Sequence, residues 1–294
     1  MRVFVTGATG FVGSAVVQDL IAAGHKVLGL SRSEEKAKAL TATGAEVHLG
    51  TLQDLEGLKK AAAKCDGIIH LAFNHDFSTY QTNCEDDRRV IEALGSILAG
   101  SNRPLVITSG ITSFNPDRPA VEDDAPVSST IIPRAASEEA AAALAASGVN
   151  VSVVRLPQVH DTYKYGLISP AIEIAREKKV SAYIGDGMGR WPAVHLTDAA
   201  RLYRLALEKA ERGANYHAVA EEGVTMRAIA EAIARRMKIP AVSITQDEAP
   251  GHFGWLAFFA GRDAPASSAQ TRKRLGWQPT GPGLIADLEN GHYA

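Results

Sequence analysis

Short apolar runs alternate with amphipathic stretches through the first half of this chain of 294 residues. The runs are RVFVT (2–6), KVLGLS (26–31), EVHLG (46–50), GIIHLAF (67–73), PLVITS (104–109) and NVSVVRL (150–156). They have the composition of buried strands, and the stretches between them repeat apolar residues with the spacing of a helix. Because each crossover helix must pack on a face of the sheet, this alternation predicts a doubly wound, parallel α/β fold.

The alternation stops after the sixth predicted strand, where turn-rich segments and isolated helices follow. One later apolar run, 214–220, reads as a further strand that we expect to return to the main sheet. The predicted division is therefore a larger domain of residues 1–156 and 191–220. A smaller substrate-binding lobe would contain residues 157–190 and 221–294.

The first predicted strand is followed by TGATGFVG, which places Gly7, Gly10 and Gly13 at three-residue intervals before a helix. Glycine at these positions permits a tight turn, a close approach of a pyrophosphate and a close contact between helix and sheet. The N–H groups of Phe11 and Val12 would face the phosphates at the positive end of the helix dipole. This context favours a dinucleotide-binding Rossmann domain over an ordinary glycine turn.

The end of the second predicted strand indicates which dinucleotide binds. NAD-binding domains carry an acidic residue there, which binds the ribose 2′-hydroxyl and would repel a 2′-phosphate. This chain has Ser31, Arg32 and Ser33 instead, and an arginine can bind a phosphate through two hydrogen bonds. We therefore predict NADP rather than NAD, the alternative being a surface arginine beside a helix cap.

Six segments together resemble motifs of the short-chain dehydrogenase/reductase superfamily, in its extended and atypical, epimerase/dehydratase-like branch. They are TGATGFVG (6–13), IIHLAF (68–73), VITSG (106–110), VVRLPQVHD (153–161), AVHLTDAARL (193–202) and SSAQTRKRLGWQP (267–279). The resemblance implies a Rossmann domain with a nicotinamide cofactor. The implied cofactor-binding residues are Gly7, Thr9, Gly10, Phe11, Val12, Gly13, Ser31, Arg32, Leu52, Leu71, Ala72, Thr108, Leu156 and Pro157.

The resemblance also implies a catalytic Tyr and, four residues later, a Lys. In IIPRAASEEA those places hold Arg134 and Glu138, and no Tyr-x-x-x-Lys occurs anywhere in the chain. Arg134 could hold a ribose or a substrate anion, but it is a poor proton donor. The alternative is an i,i+4 ion pair on a solvent-facing helix. The Asn that the family carries on the preceding helix corresponds to Asn83, Asp86 or Asp87.

Two loops after predicted strand ends offer groups that could replace the missing acid. In NHDFSTY (74–80), His75 titrates near neutral pH and Asp76 could orient it. In SGITS (109–113), Ser109 matches the active-site serine of the family and could polarise a carbonyl. The alternatives are a loop histidine beside a capping aspartate, and a serine that satisfies local backbone.

A third loop, QVHDTYKYG (158–166), contains His160, Tyr163 and Lys164. A tyrosine beside a lysine could reproduce the missing pair from another part of the chain, the alternative being that these side chains only pack. The segment GHFGWLAFFAG (251–261) would lie in the smaller lobe. It could line an apolar substrate pocket, form a dimer contact or belong to the core of the lobe.

Composition excludes several classes of partner. Lysine and arginine number 31 against 33 acidic residues, so nothing predicts a nucleic-acid or anionic-membrane partner. The nine histidines lack the spacing of metal ligands, and no apolar run reaches the length of a membrane span. Two unpaired cysteines and a strand at the first residues predict a cytoplasmic protein.

We expect an NADP(H)-dependent oxidoreductase acting on a small, apolar carbonyl or alcohol, with sugar epimerase or dehydratase chemistry as an alternative. The catalytic candidates are Ser109, Arg134, His75, His160 and Tyr163. A protein from another class would be a non-catalytic, NADP-binding regulator, for which loss of the Tyr and Lys means loss of turnover. A homodimer is compatible with the sequence.

Overall fold

Twelve strands are present in the computed structural model, which describes residues 1–111 and 117–293. They are β1 (Arg2–Thr6), β2 (Lys26–Ser31), β3 (Glu46–Leu49), β4 (Gly67–His70), β5 (Leu105–Gly110), β6 (Val151–Leu156), β7 (Gln158–His160), β8 (Ser181–Ile184), β9 (Arg190–His195), β10 (Asn215–His217), β11 (Glu221–Thr225) and β12 (Ala241–Ile244). Seven of them form one sheet in the order β10-β6-β5-β4-β1-β2-β3. Every pairing in that sheet is parallel. The predicted doubly wound, parallel fold is confirmed.

Helices cover both faces of this sheet and build the rest of the molecule. They are α1 (Phe11–Ala22), α2 (Glu34–Ala42), α3 (Leu55–Ala62), α4 (Tyr80–Ser96), α5 (Ala136–Ala146), α6 (Ile168–Lys178), α7 (Leu196–Lys209), α8 (Met226–Met237), α9 (Ala249–Phe253), α10 (Ala257–Ala260), α11 (Ala269–Leu275) and α12 (Leu284–Glu289). None of the described helices is long and apolar enough to cross a membrane.

The sheet separates two apolar cores, because its strands are buried on both faces. On one face, Val16 and Leu20 of α1 pack with Tyr203 and Leu207 of α7. On the other face, α3, α4 and α5 bury a second apolar cluster that includes Ile91. Since all seven strands run in the same direction, their carboxyl ends meet along one edge, where the loops that carry candidate residues begin.

A third apolar cluster lies outside the main sheet. It joins α6, α8, α9 and α12 with β8 and β9, and Trp191, Ile233 and Leu288 are among its buried side chains. Two small sheets support it, one of order β11-β9-β7 and one of order β12-β8. Because β7 follows β6 after a single residue, the carboxyl edge of the main sheet continues directly into this part of the molecule.

The segment after β4 differs from the sequence-based expectation in two ways. The strand ends at His70 rather than Phe73, because the N–H groups of Leu71 and Ala72 donate to the Thr6 hydroxyl at 3.1 and 3.2 Å. The next helix begins at Tyr80, and a short 3-10 helix, capped by Asp76, leads into it. The connection between β4 and α4 therefore begins three residues earlier than predicted, and its last three residues form a 3-10 helix.

Candidate functional site

The glycine turn between β1 and α1 forms a cradle of backbone atoms. Gly7 has φ +67°, and a Cβ on it would lie 2.8 Å from the nitrogen of Ala72. A Cβ on Gly13 would lie 2.0 Å from the oxygen of Gly7, so the first turn of α1 can approach the loop only as glycine. Gly10 is the N-cap residue and provides no side-chain cap, which leaves the first N–H groups of the helix available. This cradle fits the pyrophosphate of a dinucleotide.

The residues predicted to select the dinucleotide lie at the carboxyl end of β2. Ser31 is buried, and its hydroxyl donates to the carbonyl of Ser33 at 3.0 Å. The Ser33 hydroxyl accepts the N–H of Lys36 and caps α2. Arg32 is exposed beside them. Both serines are therefore occupied by local backbone groups, and Arg32 is the side chain that remains to meet a ligand.

The other predicted cofactor residues lie along the same edge of the sheet. Thr9, Leu52, Leu156 and Pro157 are half-buried. Thr108 donates to the carbonyl of His70 at 2.8 Å and shares a second hydrogen bond with the buried hydroxyl of Tyr203. The Thr108 hydroxyl is therefore committed to holding β5 beside β4 and α7.

A chain of buried polar side chains connects β1 to α4 beneath the candidate site. The Thr6 hydroxyl and Nδ1 of His70 lie 2.7 Å apart, and Nε2 of His70 lies 2.9 Å from Asp87. Because the Thr6 oxygen accepts two backbone N–H groups, its own hydrogen points to Nδ1, and His70 then donates from Nε2 to Asp87. All three residues are buried.

Arg134 lies at the end of this chain. Its Nη1 donates to Asp87 at 2.8 Å, its Nη2 donates to the carbonyl of Thr108 at 2.8 Å, and Nη1 also contacts the hydroxyl of Ser137. The guanidinium carbon lies 4.3 Å from the ring centroid of Phe73. Burial alone would raise the pKa of Asp87, but Arg134 and His70 outweigh it and hold that pKa well below its usual range. The positive charge of Arg134 is thus fixed at the carboxyl end of β5.

Glu138 points to a different partner. Its carboxylate accepts a hydrogen bond from Nη2 of Arg155 at 2.7 Å, and both side chains are buried. Arg155 also donates to the carbonyl of Glu122 and to Nε2 of His217. The alternative of an exposed ion pair between Arg134 and Glu138 is therefore wrong, because each of them pairs with a residue from another element.

Ser109 is the residue next to Thr108 at the end of β5. It is 2% exposed, and its hydroxyl has no hydrogen-bond partner among residues 1–111 and 117–293. Burying a hydroxyl without a hydrogen-bond partner costs free energy, and such a group calls for a bound water, a ligand or a functional role. Thr112 and Ser113, which end the predicted segment 109–113, lie outside the described residues.

His75 lies in the loop between β4 and α4. Its ring meets the ring of Phe73 edge to face, with centroids 5.2 Å apart. The side chain is exposed, and desolvation by the surrounding loop and then the charge of Arg134 lower its pKa below the ordinary value of 6.5. Asp76 accepts the N–H and the hydroxyl of Ser78 at 3.0 and 2.6 Å, which occupies it in capping the 3-10 helix. His75 and Arg134 therefore share one electrostatic environment.

The candidate side chains of the third loop, 158–166, lie in different surroundings. His160 is completely buried in β7, and its Nδ1 lies 2.7 Å from Asp287 of α12. Tyr163 is exposed and stacks on His292 with centroids 4.4 Å apart. The ammonium of Lys164 lies 5.6 Å from the ring centroid of Phe11. Tyr163 and Lys164 thus face different parts of the molecule.

An aromatic row runs from Arg134 to the segment around α9 and α10, and we call it the aromatic wall. Its members are Phe73, Tyr80, Phe77, Trp255 and Phe259, each in ring contact with the next. Phe77 and Trp255 stack with centroids 4.4 Å apart and so connect the loop after β4 with the segment between α9 and α10. Burial raises the pKa of Tyr80 to about 12, so its hydroxyl stays protonated at neutral pH.

Three parts of this arrangement were not fully predicted from the sequence. Neither His70 nor Tyr203, which bind residues at the edge of the site, was singled out, and Asp87 was one of three options. The signal for Asp87 would have been its position four residues after Asn83, on the same face of α4. Of the aromatic wall, only the members in 251–261 were predicted.

The chain resembles known proteins over nearly its whole length. The family model described as NAD dependent epimerase/dehydratase family matches residues 3–220. An uncharacterized protein of Schizosaccharomyces pombe is 48% identical over 294 residues, which is 100% of both chains. One of Saccharomyces cerevisiae is 43% identical over 291 residues, 98% of both. The sterol-4-alpha-carboxylate 3-dehydrogenase (decarboxylating) of Dictyostelium discoideum is 28% identical and covers 77% of this chain and 73% of its own.

A solved structure supports the fold independently. The UDP-glucose 4-epimerase of Thermus thermophilus, in complex with NAD, matches with a TM-score of 0.76 at 20% identity. The match covers 100% of this chain and 99% of that one. At this level of identity the likeness establishes the course of the backbone, and the side-chain chemistry must be argued from this chain.

Proposed function

Because the chain belongs to the NAD dependent epimerase/dehydratase family, we propose that it is an NADP(H)-dependent oxidoreductase of the atypical short-chain type. Its substrate is a small, apolar carbonyl or alcohol. One observation carries the proposal: the buried hydroxyl of Ser109 has no partner in the described parts of the chain and lies next to the residue that binds Arg134. We infer that the oxygen of a bound ligand is the partner of this hydroxyl.

The reaction follows from what these side chains can do. The cofactor, when bound, supplies or accepts the hydride. The Ser109 hydroxyl donates a hydrogen bond to the substrate oxygen and orients it, while the fixed charge of Arg134 stabilises negative charge that develops there. His75 holds or releases the proton. Since its pKa is lowered, His75 is mainly neutral at pH 7, which favours accepting a proton from an alcohol. Protonation of a carbonyl is favoured at lower pH.

The preference for NADP rests on Arg32, the exposed cation at the end of β2 where an acidic residue would favour NAD. Isothermal titration tests this preference with both dinucleotides. We expect NADP to bind at least tenfold more tightly, and Arg32→Ala to weaken NADP binding while leaving NAD unchanged. If the unmodified protein binds NADP and NAD with equal affinity, and Arg32→Ala changes neither affinity, the predicted preference for NADP is wrong.

The preference for an apolar substrate rests on the aromatic wall, which begins beside Arg134 and continues to Trp255 and Phe259. A panel of carbonyls and alcohols of graded chain length and charge, followed by NADPH absorbance, tests both the reaction and this preference. We expect kcat/KM to rise with apolar surface and to be lowest for charged sugars. The highest activity on a nucleotide sugar would favour the epimerase or dehydratase alternative.

A second candidate function is a non-catalytic NADP-binding regulator. The observation that favours it is the pairing of both atypical residues, since Arg134 is bound to Asp87 and Glu138 to Arg155. If the protein binds NADPH tightly and the whole panel gives no turnover, the regulator becomes the better account. A cytoplasmic location and a small-molecule ligand are common to both proposals.

A further inference from the structure

Lys164 lies in a tight turn after β7. Oδ1 of Asp161 accepts the N–H groups of Tyr163 and Lys164 at 2.7 and 2.8 Å, and the N–H of Asp161 donates to the carbonyl of Lys164 at 2.9 Å. Tyr163 is held on the outside of this turn by its stack on His292. The turn therefore directs Lys164 away from Tyr163 and toward α1.

The lysine ammonium reaches the phosphate end of the cofactor site. It lies 5.6 Å from the ring centroid of Phe11, which is the first residue of α1 and the residue after the Gly10 cap. Lys164 is exposed, and its ammonium lies over the ring of Phe11. Its charge is thus available to a ligand that covers the start of α1.

The glycine cradle itself has no charged side chain. Residues 7–13 are all uncharged, so a pyrophosphate there would be held by N–H groups and the helix dipole alone. Position 138, where the resemblance implied a cation at the cofactor, holds a glutamate that is paired with Arg155. A pyrophosphate carries two negative charges, and a nearby lysine would offset one of them.

We propose that Lys164 binds the pyrophosphate of the dinucleotide, closing over it from the loop after β7 while Phe11 supports its aliphatic stem. This inference rests on the cofactor part of the proposed function. It assigns a role to Lys164 that is separate from catalysis. It also differs from the role proposed for Arg32, which follows β2 and would bind the 2′-phosphate.

Binding of four ligands distinguishes these roles. We compare the unmodified protein with Lys164→Met, which keeps the aliphatic stem, with Lys164→Arg, which keeps the charge, and with Lys273→Met, which removes an exposed charge on α11. The ligands are NADP, NAD, ADP-ribose and adenosine 2′-monophosphate, the last of which lacks a pyrophosphate. Dissociation constants are measured by titration calorimetry or by competition.

We expect Lys164→Met to weaken the binding of NADP, NAD and ADP-ribose by about tenfold each, or about 1.4 kcal/mol. The affinity for adenosine 2′-monophosphate should not change. Lys164→Arg and Lys273→Met should bind all four ligands like the unmodified protein. If only the binding of NADP is weakened, Lys164 contacts the 2′-phosphate instead of the pyrophosphate. If no dissociation constant changes, Lys164 only packs on Phe11. Both results overturn the inference. If the unmodified protein binds no dinucleotide, the proposed function itself fails.

Discussion

The two ends of the cofactor site depend on different parts of the chain, the backbone at one end and side chains at the other. At the phosphate end, the glycine turn and the start of α1 present backbone N–H groups, and the critical contacts are those that a Cβ would block. At the reaction end, the arrangement depends on buried side chains: Asp87 binds His70, Ser137 and Arg134, and Arg134 binds the carbonyl of Thr108. One end is specified by residues without side chains, the other by side chains from four elements.

The two ends therefore respond differently to substitution. A backbone cradle tolerates changes elsewhere, because it depends on local dihedral angles and on the absence of Cβ atoms. A cluster of buried charges must balance as a unit, since a charge left without its partner is strongly destabilising. Arg134 therefore has to be understood together with Asp87, and Glu138 with Arg155.

The largest effect is expected from Asp87→Ala, at the reaction end. The substitution removes the carboxylate that balances Arg134 and accepts from His70, and we expect the free energy of unfolding to fall by about 3–5 kcal/mol. Chemical denaturation measures this. The control is Asp86→Ala, which removes a neighbouring carboxylate paired with Arg89 at the surface and should change stability by less than about 1 kcal/mol. Equal effects would mean that the cluster is not a coupled unit.

Ser109→Ala should separate activity from stability. The hydroxyl has no partner within the described ranges, so its removal should leave the thermal midpoint unchanged or slightly raised. If Ser109 orients the substrate oxygen, kcat should fall by about 100-fold with little change in KM. Steady-state kinetics and a thermal scan of the same preparation check both. A large loss of stability with unchanged kcat would show that Ser109 serves the fold instead.

At the phosphate end, Gly13→Ala should weaken binding and stability together. The new Cβ would lie 2.0 Å from the oxygen of Gly7, which forces α1 away from the turn and costs about 1–3 kcal/mol of stability. We expect dinucleotide affinity to fall by at least tenfold, since the N–H groups lose their alignment. Gly251→Ala is the matched control, because a Cβ there meets nothing within 4 Å. Unchanged affinity in Gly13→Ala would argue against the cradle.

The smallest effect concerns pH and lies outside both ends. Burial lowers the pKa of His160, and burial together with Arg155 lowers that of His217. Both folded-state values lie below the unfolded value of about 6.5, so the folded protein binds protons less readily and loses stability as pH falls below about 6.5. Denaturation at pH 7 and pH 5 should show this loss. His160→Gln should reduce it, and an undiminished loss in this variant would contradict the assignment to His160.

Much of the fold could be predicted because its signals are local. Apolar runs, helix periodicity and the glycine spacing identified the six strands up to Leu156 and the nucleotide-binding turn before any tertiary contact was considered. Boundaries were less accurate where a tertiary hydrogen bond decides them. The strand β4 ends at His70 because a side chain of β1 takes the next two N–H groups, and no pattern within 67–73 contains that information.

The candidate site divides in the same way. The parallel α/β fold and the location of the glycine cradle were predictable, since both follow from the order and spacing of residues along one segment. Tertiary packing fixes the partners of Arg134 and Glu138 and the contact between Phe77 and Trp255. It also places Tyr163 on His292 and Lys164 over Phe11. Those contacts join residues far apart in the chain, where charge balance and packing in three dimensions select the partner and sequence distance carries no information.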